Sequence, residues 1–350
     1  MSNWRKTGED IAQVDDLLAS VGLGHGRRKT LAGTWKAGER QSRTTPKSQR
    51  SVPTGKIEVV RAAGWEKYAW LRHGFSTRAG GASSIYGDHS LNLGWTKEDE
   101  PSKVADNRRQ FIGKVVGFPG KLLTLRQFHS GVIRIVELAD GALEGRLETA
   151  AGRAVLRGDG VMTDLPGVML GIQVADCVSV LVADVRRRAV AAFHAGWRGT
   201  LARIVERGIG SMQLRYGSRT EDLIAVVGPS IGPCCYSVGE EVRFEFESQF
   251  AYAPELFSEV YDSDPVRNKY PLLFLTARAP GHSNIGPQIH LNLWQANRRQ
   301  LLDAGVKAKR ITVIGECTAC TRVGAQLKYF SHRGESGFAG RMMGVIGVVP

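Results

Sequence analysis

The chain has 350 residues, enough for one large domain or two of ordinary size, and 42% of them are apolar, so a sizeable core can form. Its formal charge of +13 at pH 7 favours anionic partners such as phosphates. Five cysteines, an odd number, argue against a disulfide framework, and no apolar run reaches the roughly 18 residues of a membrane span.

The first segment, residues 1–56, differs in composition from the rest of the chain. It holds 11 Lys and Arg against 5 Asp and Glu, and from Gly24 to Lys56 it almost lacks large apolar residues. This composition is typical of disorder, with one short amphipathic helix predicted over Glu9–Val21. We therefore predict a basic, disordered extension over 1–56 and a globular domain over 57–350. Because no apolar signal-peptide core is present in the first 30 residues, we expect a cytoplasmic protein without a membrane segment.

From residue 57 onward, strand-like and helix-like stretches alternate. Short β-branched runs predict strands at Ile57–Arg61, Gly160–Met162, Val168–Val174, Val178–Ala183, Ala189–His194, Leu223–Val227 and Ile311–Ile314. Apolar residues at helical spacing predict helices at Lys103–Val116, Thr200–Tyr216, Gly239–Phe250 and Leu291–Ala304. This interleaving predicts a mixed α/β or α+β class.

Two of the predicted strands, Val178–Ala183 and Ala189–His194, are close enough in sequence to form an antiparallel hairpin. If the chain turns at Val185-Arg186, residue i pairs with residue 371 − i, and Cys177 lies opposite His194. The intervening segment lacks the Asn-Gly or Asp-Gly pair that would fix this register. The hairpin nevertheless explains how the side chains of Cys177 and His194 could lie close enough to share a site.

Two imidazoles and one thiol, those of His129, Cys177 and His194, form the candidate catalytic centre. Three such ligands fit a catalytic zinc, which keeps its fourth position for water or substrate, whereas a structural zinc has four protein ligands. The separations of 48 and 17 residues match no compact zinc motif, so each residue could also be an ordinary core or surface side chain. Asp176 ends an apolar run, where a buried carboxylate needs a partner.

The residues after His194 indicate an anion site beside this centre. The segment Ala195-Gly196-Trp197-Arg198-Gly199 is rich in small residues, and Thr200 fits an N-cap for the helix that follows. A helix N-terminus there would offer N–H groups to an anion, although an ordinary strand-to-helix turn has the same pattern. Arg78 and Arg108 carry guanidinium groups suited to phosphate, the alternative being solvated surface charge.

A series of ordered motifs, over about residues 60–348, resembles the YfiH or laccase-domain family. The motifs are His73-Gly74-Phe75-Ser76-Thr77-Arg78-Ala79-Gly80-Gly81, Ser90-Leu91-Asn92-Leu93-Gly94, Asn107-Arg108, Gln127-Phe128-His129, Ala175-Asp176-Cys177, His194-Ala195-Gly196-Trp197-Arg198-Gly199, Gly228-Pro229-Ser230-Ile231-Gly232-Pro233-Cys234-Cys235-Tyr236, Cys317-Thr318, Tyr329-Phe330-Ser331-His332-Arg333 and Gly340-Arg341. Two positions depart from the family pattern: Ser130 replaces a usual Gly, and His332-Arg333-Gly334-Glu335 replaces Tyr-Arg-Arg-Asp.

The resemblance implies a fold, a cofactor and an activity. It implies one α+β domain of four layers, α/β/β/α, built on two mixed β-sheets, and one zinc ion held by His129, Cys177 and His194, which are also the expected catalytic residues. It implies purine nucleoside phosphorylase activity on adenosine, inosine and methylthioadenosine, giving free base and (methylthio)ribose 1-phosphate, with adenosine deaminase activity as a companion. The expected partners are therefore purine nucleosides and phosphate, bound by a monomer or small homo-oligomer.

Five further residues are expected to contact substrate or phosphate. Arg108 is the first choice for phosphate, because it matches the family's Asn-Arg motif, and Arg78 and Arg198 follow. Asn92 lies in another matched motif. The usual His-x-Glu deaminase signature is absent, so the proton shuttle of deamination is left unassigned, with Asp176 as a candidate. Zinc would act as a Lewis acid or activate a water molecule.

Three other classes of protein stay open as alternatives. In a cysteine hydrolase or amidase acting on a peptidoglycan precursor or another amide, Cys177 and His194 would be nucleophile and base, with Asp176 or His129 orienting the base. A multicopper oxidase would need more His ligands than the eight His of this chain, which argues against copper. A nucleic-acid binder would use the basic segment 1–56, which contains no known nucleic-acid-binding motif.

Overall fold

The computed structural model describes residues 55–117, 121–137, 147–149, 152–260 and 288–349. These residues all belong to the unit Val52–Pro350. The predicted extension over 1–56 and its helix Glu9–Val21 lie outside the described residues, apart from Gly55 and Lys56. The boundary between extension and globular domain therefore stays a prediction.

The first large β-sheet is mixed and contains five strands. They are β1 (Val59–Val60), β2 (Leu71–Ser76), β4 (Lys121–Thr124), β7 (Val168–Val174) and β17 (Met342–Val348). The order across the sheet is β1-β2-β17-β7-β4, and only β4 and β7 run parallel. Because β17, the last of these strands along the chain, lies in the middle of the sheet, the sheet can form completely only after β17 has been added between β2 and β7.

The second large β-sheet is also mixed and contains six strands. They are β5 (Ile133–Ile135), β6 (Gly160–Thr163), β8 (Val178–Asp184), β9 (Val190–Ala195), β10 (Leu223–Val227) and β14 (Ile311–Val313). The order is β14-β10-β8-β9-β6-β5, with β5 parallel to β6 and β10 parallel to β14. Every residue of β8 and β9 is buried, as expected of strands that are covered on both faces.

The remaining elements are short strands and α-helices. The short strands are β3 (Ala79–Ser83), β11 (Ser237–Val238), β12 (Phe257–Val260), β13 (Gln288–Leu291), β15 (Arg322–Val323) and β16 (Gln326–Leu327). The helices in the described ranges are α1 (Pro101–Val116), α2 (Trp197–Leu201), α3 (Ile204–Tyr216), α4 (Glu240–Gln249) and α5 (Leu293–Asp303). None of these described helices has the length and apolar character that crossing a bilayer requires.

The two large sheets pack against each other and each is covered by helices on its outer face. Leu170 of β7 and Leu181 of β8 belong to the buried cluster between the sheets. Phe111 of α1 belongs to the cluster on the outer face of the first sheet. Phe193 of β9 and Leu293 of α5 belong to the cluster on the outer face of the second. The layers are therefore α/β/β/α, and the predicted single mixed domain with two mixed sheets is confirmed.

The predicted helix Thr200–Tyr216 is divided in the structure. The first part, α2, ends at Leu201, and Arg203 adopts a left-handed φ of 54° before α3 begins. Thr200 lies inside α2, whose N-cap is Gly196, and its hydroxyl donates to the backbone oxygen of Ala195 at 3.3 Å. The prediction of an N-cap at Thr200 is therefore wrong. Because α2 has only five residues, its summed dipole is small and adds little attraction for an anion at its N-terminus.

The hairpin of β8 and β9 forms as predicted, but its register is different. Ser179 pairs with His194, so residue i faces residue 373 − i, and the predicted register of 371 − i is wrong. The turn is longer because the carboxylate of Asp184 accepts the backbone N–H of Arg186 at 2.8 Å. Cys177 is therefore diagonal to His194 rather than opposite to it. Since the shift is an even number of residues, the two side chains keep the same face.

Candidate metal centre and its cleft

Three side chains converge at the open end of the β8–β9 hairpin. His129 lies in the loop between β4 and β5, Cys177 directly precedes β8, and His194 lies near the end of β9. Their ligand atoms all lie within 4.8 Å of one another. The two imidazole rings have centroids 4.9 Å apart. The structure therefore brings together the three residues predicted to form the catalytic centre.

Two non-glycine residues at this centre have a left-handed backbone. The φ angle is 62° at His129 and 84° at Asp176, a conformation that costs such residues about 1–3 kcal/mol. Hydrogen bonds hold both residues in place. The backbone N–H of His129 donates to Asp159 at 3.0 Å, and the carboxylate of Asp176 accepts from the Thr318 hydroxyl and the Arg333 backbone N–H, each at 2.6 Å. Strain of this kind is typical of functional sites.

A buried carboxylate, Asp159, organises the loop that carries His129. Its oxygens accept the backbone N–H groups of Phe128, His129 and Ser130 at 3.2, 3.0 and 2.7 Å. Oδ1 of Asp159 also lies 2.8 Å from Nδ1 of His194. Burial acts to raise the pKa of Asp159, but the hydrogen bonds from His194 and Ser130 outweigh it and hold this pKa well below its usual range. The charged carboxylate keeps a proton on Nδ1 and leaves Nε2 of His194 as the ligand atom.

The protonation states of Cys177 and His194 depend on each other. Burial acts to raise the pKa of Cys177, but the charge of His194 and hydrogen bonds from both histidines lower it to about 6. Burial acts to lower the pKa of His194, but the Cys177 thiolate and the hydrogen bond to Asp159 raise it to about 9. The pair therefore favours a thiolate near neutral pH, the ionised form that a metal ligand requires.

Gly196 leaves the space in which these ligands meet. A Cβ at this position would lie 2.7 Å from Sγ of Cys177 and 3.6 Å from Cδ2 of His129. The first distance is shorter than packed atoms tolerate, so a side chain here would displace the sulfur. The absence of a side chain at Gly196 therefore leaves room for Cys177 and His129 to meet.

The donor set fits a catalytic metal ion. Two imidazole nitrogens and one thiolate are ligands that zinc prefers, and three protein ligands with a fourth position open are typical of catalytic zinc. Asp159 supplies the outer hydrogen bond that metal-binding histidines usually have. His129 is exposed whereas His194 is buried, so the cluster is accessible from the His129 side. The three residues are therefore a candidate metal site open to a ligand.

A cleft of about 830 Å³ lies over this site. That volume is within the range of about 300–1,000 Å³ that small-molecule sites occupy. The cleft is lined by Trp95, Leu125, Arg126, Gln127, His129, Thr149, Arg153, Ala154, Gln173, Val174, Ala175, Asp176, Cys177, His194, Tyr236, His332, Arg333 and Arg341. Four of these residues are arginines, so the cleft favours an anion.

Of the five predicted substrate contacts, Asp176 lines the cleft, and the other four are not among the lining residues in the described ranges. Arg78 forms an ion pair with Glu335 at 3.0 Å. Arg198 is exposed, and its guanidinium lies over the ring of Trp197, 4.2 Å from the centroid. Their predicted roles with substrate or phosphate stay predictions.

Asn92 and Arg108 contact residues that line the cleft. The buried Asn92 accepts the backbone N–H of Arg341 at 2.8 Å. Nε of Arg108 donates to the backbone oxygen of Leu93 at 2.8 Å, and its guanidinium stacks on Trp95, 4.7 Å from the ring centroid. Burial lowers the pKa of Arg108 to about 10. Nη2 of Arg108 is buried and has no hydrogen-bond partner within the described part of the chain, so one donor of this guanidinium is unused there.

Asp159 and the cleft residues Arg126 and Arg153 are functional candidates that only the structure reveals. Asp159 directly precedes the apolar strand β6, and the same signal, a carboxylate beside a buried run, had singled out Asp176. That signal could have identified it. Arg126 and Arg153 lie in loops with no distinguishing pattern, so only the fold brings them to the cleft.

Comparison with known proteins identifies the family. Residues 72–349 match the family model described as multi-copper polyphenol oxidoreductase laccase. Purine nucleoside phosphorylase YlmD of Geobacillus stearothermophilus is 31% identical over 292 residues, which cover 81% of this chain and 95% of the relative. A purine nucleoside phosphorylase of Deinococcus radiodurans is 33% identical over 278 residues, which cover 79% of this chain and 88% of the relative.

Solved structures agree with this assignment. The crystal structure of the hypothetical protein YfiH of Bacillus licheniformis matches with a TM-score of 0.66 and 29% identity, covering 83% of this chain and 98% of that one. The crystal structure of YlmD from Geobacillus stearothermophilus matches with a TM-score of 0.63 and 31% identity, covering 81% of this chain and 93% of that one. The resemblance read from the motifs is confirmed, and the chain belongs to the laccase-domain family that includes these proteins.

Proposed function

We propose that the protein is a zinc-dependent purine nucleoside phosphorylase. The observation that carries the proposal is the cluster of His129, Cys177 and His194, which opens into a cleft lined by arginines. The names of the relatives suggest the reaction. The cleft has the features that this reaction needs, namely an anion-binding wall, aromatic surface and a metal-ligand set.

Phosphorolysis needs a phosphate held against C1′ of the ribose. Guanidinium groups bind phosphate through paired N–H donors, and Arg126, Arg153, Arg333 and Arg341 line the cleft. Positive charge gathered in a concave site also raises the local concentration of anions. Phosphate therefore binds among these arginines in our proposal. Arg108, the residue predicted from the sequence, stacks on Trp95, which lines the cleft, so in our proposal it supports this wall of the phosphate site from behind.

The nucleoside binds in the same cleft. Trp95 and Tyr236 present aromatic surface there, and purine bases stack well on aromatic rings. Burial raises the pKa of Tyr236, so its phenol stays protonated at neutral pH and can donate a hydrogen bond to the base or ribose. We propose adenosine, inosine and methylthioadenosine as substrates, giving the free base and ribose 1-phosphate or its methylthio analogue.

The protein's own residues prepare the metal site for this chemistry. His129, Cys177 and His194 would hold zinc, which supplies Lewis-acid chemistry and lowers the pKa of a water molecule. Asp159 keeps the proton on Nδ1 of His194. Asp176 lines the cleft and is our candidate for proton transfer in a companion adenosine deamination.

The test is incubation of the purified protein with each nucleoside, with and without phosphate, followed by chromatography of the products. We expect free base and ribose 1-phosphate only when phosphate is present, and inosine from adenosine in either case. The matched control is Cys177→Ser, which removes one ligand and should abolish both reactions. If the wild-type protein converts no nucleoside, the proposal is wrong.

One observation favours a second function, that of a cysteine hydrolase. Cys177, His194 and Asp159 form a thiol–imidazole–carboxylate series, the arrangement that activates a cysteine nucleophile. In this arrangement Asp159 orients His194, whereas the sequence had suggested Asp176 or His129. A thiolate bound to zinc is a poor nucleophile. Stoichiometric zinc at this site together with no alkylation of Cys177 by iodoacetamide would exclude the hydrolase.

A further inference from the structure

Four cysteines form a second cluster, separate from the candidate catalytic centre. Cys234 and Cys235 lie in the loop that follows β10, and Cys317 and Cys320 lie in the loop that follows β14. Their sulfur atoms all lie within 4.8 Å of one another. Sγ of Cys234 and Sγ of Cys320 are 3.6 Å apart, and all four are free thiols. Since β10 and β14 are parallel neighbours, both loops leave the same edge of the sheet.

Backbone hydrogen bonds hold the two loops together beside this cluster. The backbone N–H of Thr318 donates to the oxygen of Ser230 at 3.0 Å, and the N–H of Ser230 donates to the oxygen of Glu316 at 3.3 Å. The N–H of Gly232 points at Sγ of the buried Cys317, 3.2 Å away. An N–H group directed at a sulfur stabilises its thiolate form, as the outer hydrogen bonds of metal sites do.

We propose that Cys234, Cys235, Cys317 and Cys320 bind a structural zinc ion as a closed tetrathiolate site. Zn–S bonds are about 2.3 Å long, so sulfurs around a tetrahedral zinc lie about 3.8 Å apart. The observed spacing of the sulfurs agrees with that distance within a small side-chain adjustment. Four protein ligands close the tetrahedron and leave no position for substrate, in contrast to the three-ligand site at Cys177.

The sulfur spacing argues against other uses of these cysteines. An iron–sulfur cluster interposes bridging sulfides and several iron atoms between its cysteines, which needs thiols farther apart than these. One disulfide between Cys234 and Cys320 would use two of the sulfurs, but it would leave Cys235 and the N–H-directed Cys317 without a role. A single metal ion uses all four.

The proposed zinc would fix one wall of the cleft. Tyr236, which lines the cleft, directly follows Cys235, and Thr318, which directly follows Cys317, donates to the carboxylate of Asp176 at 2.6 Å. A metal that ties the two loops therefore ties both residues to the hairpin that carries Cys177. Loss of this zinc would loosen the cleft without removing any ligand of the catalytic centre.

The experiment measures zinc in the full-length protein and in two variants, by mass spectrometry of the metal after gel filtration. We expect two zinc ions per chain in the wild type, and one in each of Cys177→Ser and Cys320→Ser. X-ray absorption at the zinc edge of Cys177→Ser should give four sulfur ligands at about 2.3 Å. This variant keeps all four cysteines of the cluster, so the measurement does not depend on whether Cys320→Ser folds.

Four outcomes would overturn the proposal. Zinc absent from Cys177→Ser, zinc there with nitrogen or oxygen ligands, or iron in its place would each exclude the tetrathiolate zinc site. A Cys234–Cys320 disulfide, found by peptide mapping of freshly purified unreduced protein, would exclude it as well. Because no arm of this experiment uses nucleoside turnover, the proposed phosphorylase activity can fail without affecting the result, and the reverse is also true.

Discussion

Asp159 contacts His194 twice: its backbone oxygen accepts the His194 backbone N–H at 2.6 Å, and its carboxylate lies 2.8 Å from Nδ1 of the ring. The same carboxylate accepts the backbone N–H of His129 at 3.0 Å. One residue therefore positions two of the three candidate ligands. The site therefore depends on this carboxylate, which lies outside the ligand set, as well as on the ligands themselves.

Asp159→Asn should weaken zinc binding by about 10- to 100-fold, the usual effect of losing such an outer partner. An amide nitrogen facing Nδ1 of His194 would donate a hydrogen bond and move the ring proton to Nε2, the ligand atom. The affinity can be measured by competition with a coloured chelator. The control is Asp164→Asn, which also removes one carboxylate but at an exposed position outside the cleft. Equal affinities in the two variants would contradict the role of Asp159.

Cys177 of protein stripped of metal should react with iodoacetamide at neutral pH. Its pKa is lowered to about 6, so the thiolate predominates above that pH and the rate of alkylation should fall as the pH drops through 6. Mass spectrometry of peptides labelled between pH 5 and 9 gives the profile for each cysteine. Cys234, whose pKa is raised to about 11 chiefly by burial, is the internal comparison. A Cys177 profile with its midpoint near 9 would contradict the stabilising effect of His194.

Gly196→Ala should abolish metal binding and activity while leaving the fold intact. The added Cβ would lie 2.7 Å from Sγ of Cys177, so the sulfur must move out of reach of the histidines. Zinc content and the thermal unfolding midpoint are the two measurements. The control is Gly210→Ala in α3, where a Cβ meets nothing within 4 Å, so stability should rise by up to about 1 kcal/mol. Full zinc content in Gly196→Ala would show that the ligands do not need this space.

Local patterns in the sequence predicted the elements better than their arrangement. The bounds predicted for β7 and β10 from their apolar runs agree with the structure at every residue, because buried strands have a strong local signal. The central strand β17 was missed, since its glycines weaken that signal. One of them, Gly344, is needed because a side chain there would collide with Ser179 of the facing sheet. The contact with a distant segment therefore explains why Gly344 is a glycine, although glycine weakens the local pattern that predicts a strand.

At the candidate site, too, the sequence predicted the residues better than their arrangement. The residue types suggested the triad and the family motifs supported it, whereas the predicted hairpin geometry placed Cys177 in the wrong register. The carboxylate of Asp184, at the end of β8, accepts a backbone N–H of the turn, and the sequence pattern did not reveal the longer connection that results. The cleft arginines come from separate loops and the C-terminal segment, and only the closed fold brings Arg153 and Arg341 to one cleft.

Arg153→Gln should raise the KM for phosphate by about 10-fold or more, because a hydrogen bond to a charged group contributes about 1.5–3 kcal/mol. The KM for nucleoside and the zinc content should be unchanged, since Arg153 lines the cleft and is not a metal ligand. Arg157→Gln is the matched control: Arg157 is also exposed, lies four residues away and stacks on Phe128, but it does not line the cleft. Phosphate titrations at saturating inosine separate the two variants. Equal KM values for phosphate in Arg153→Gln and Arg157→Gln would show that phosphate does not bind at Arg153. The same titration of Arg108→Gln would then test the residue ranked first for phosphate from the sequence.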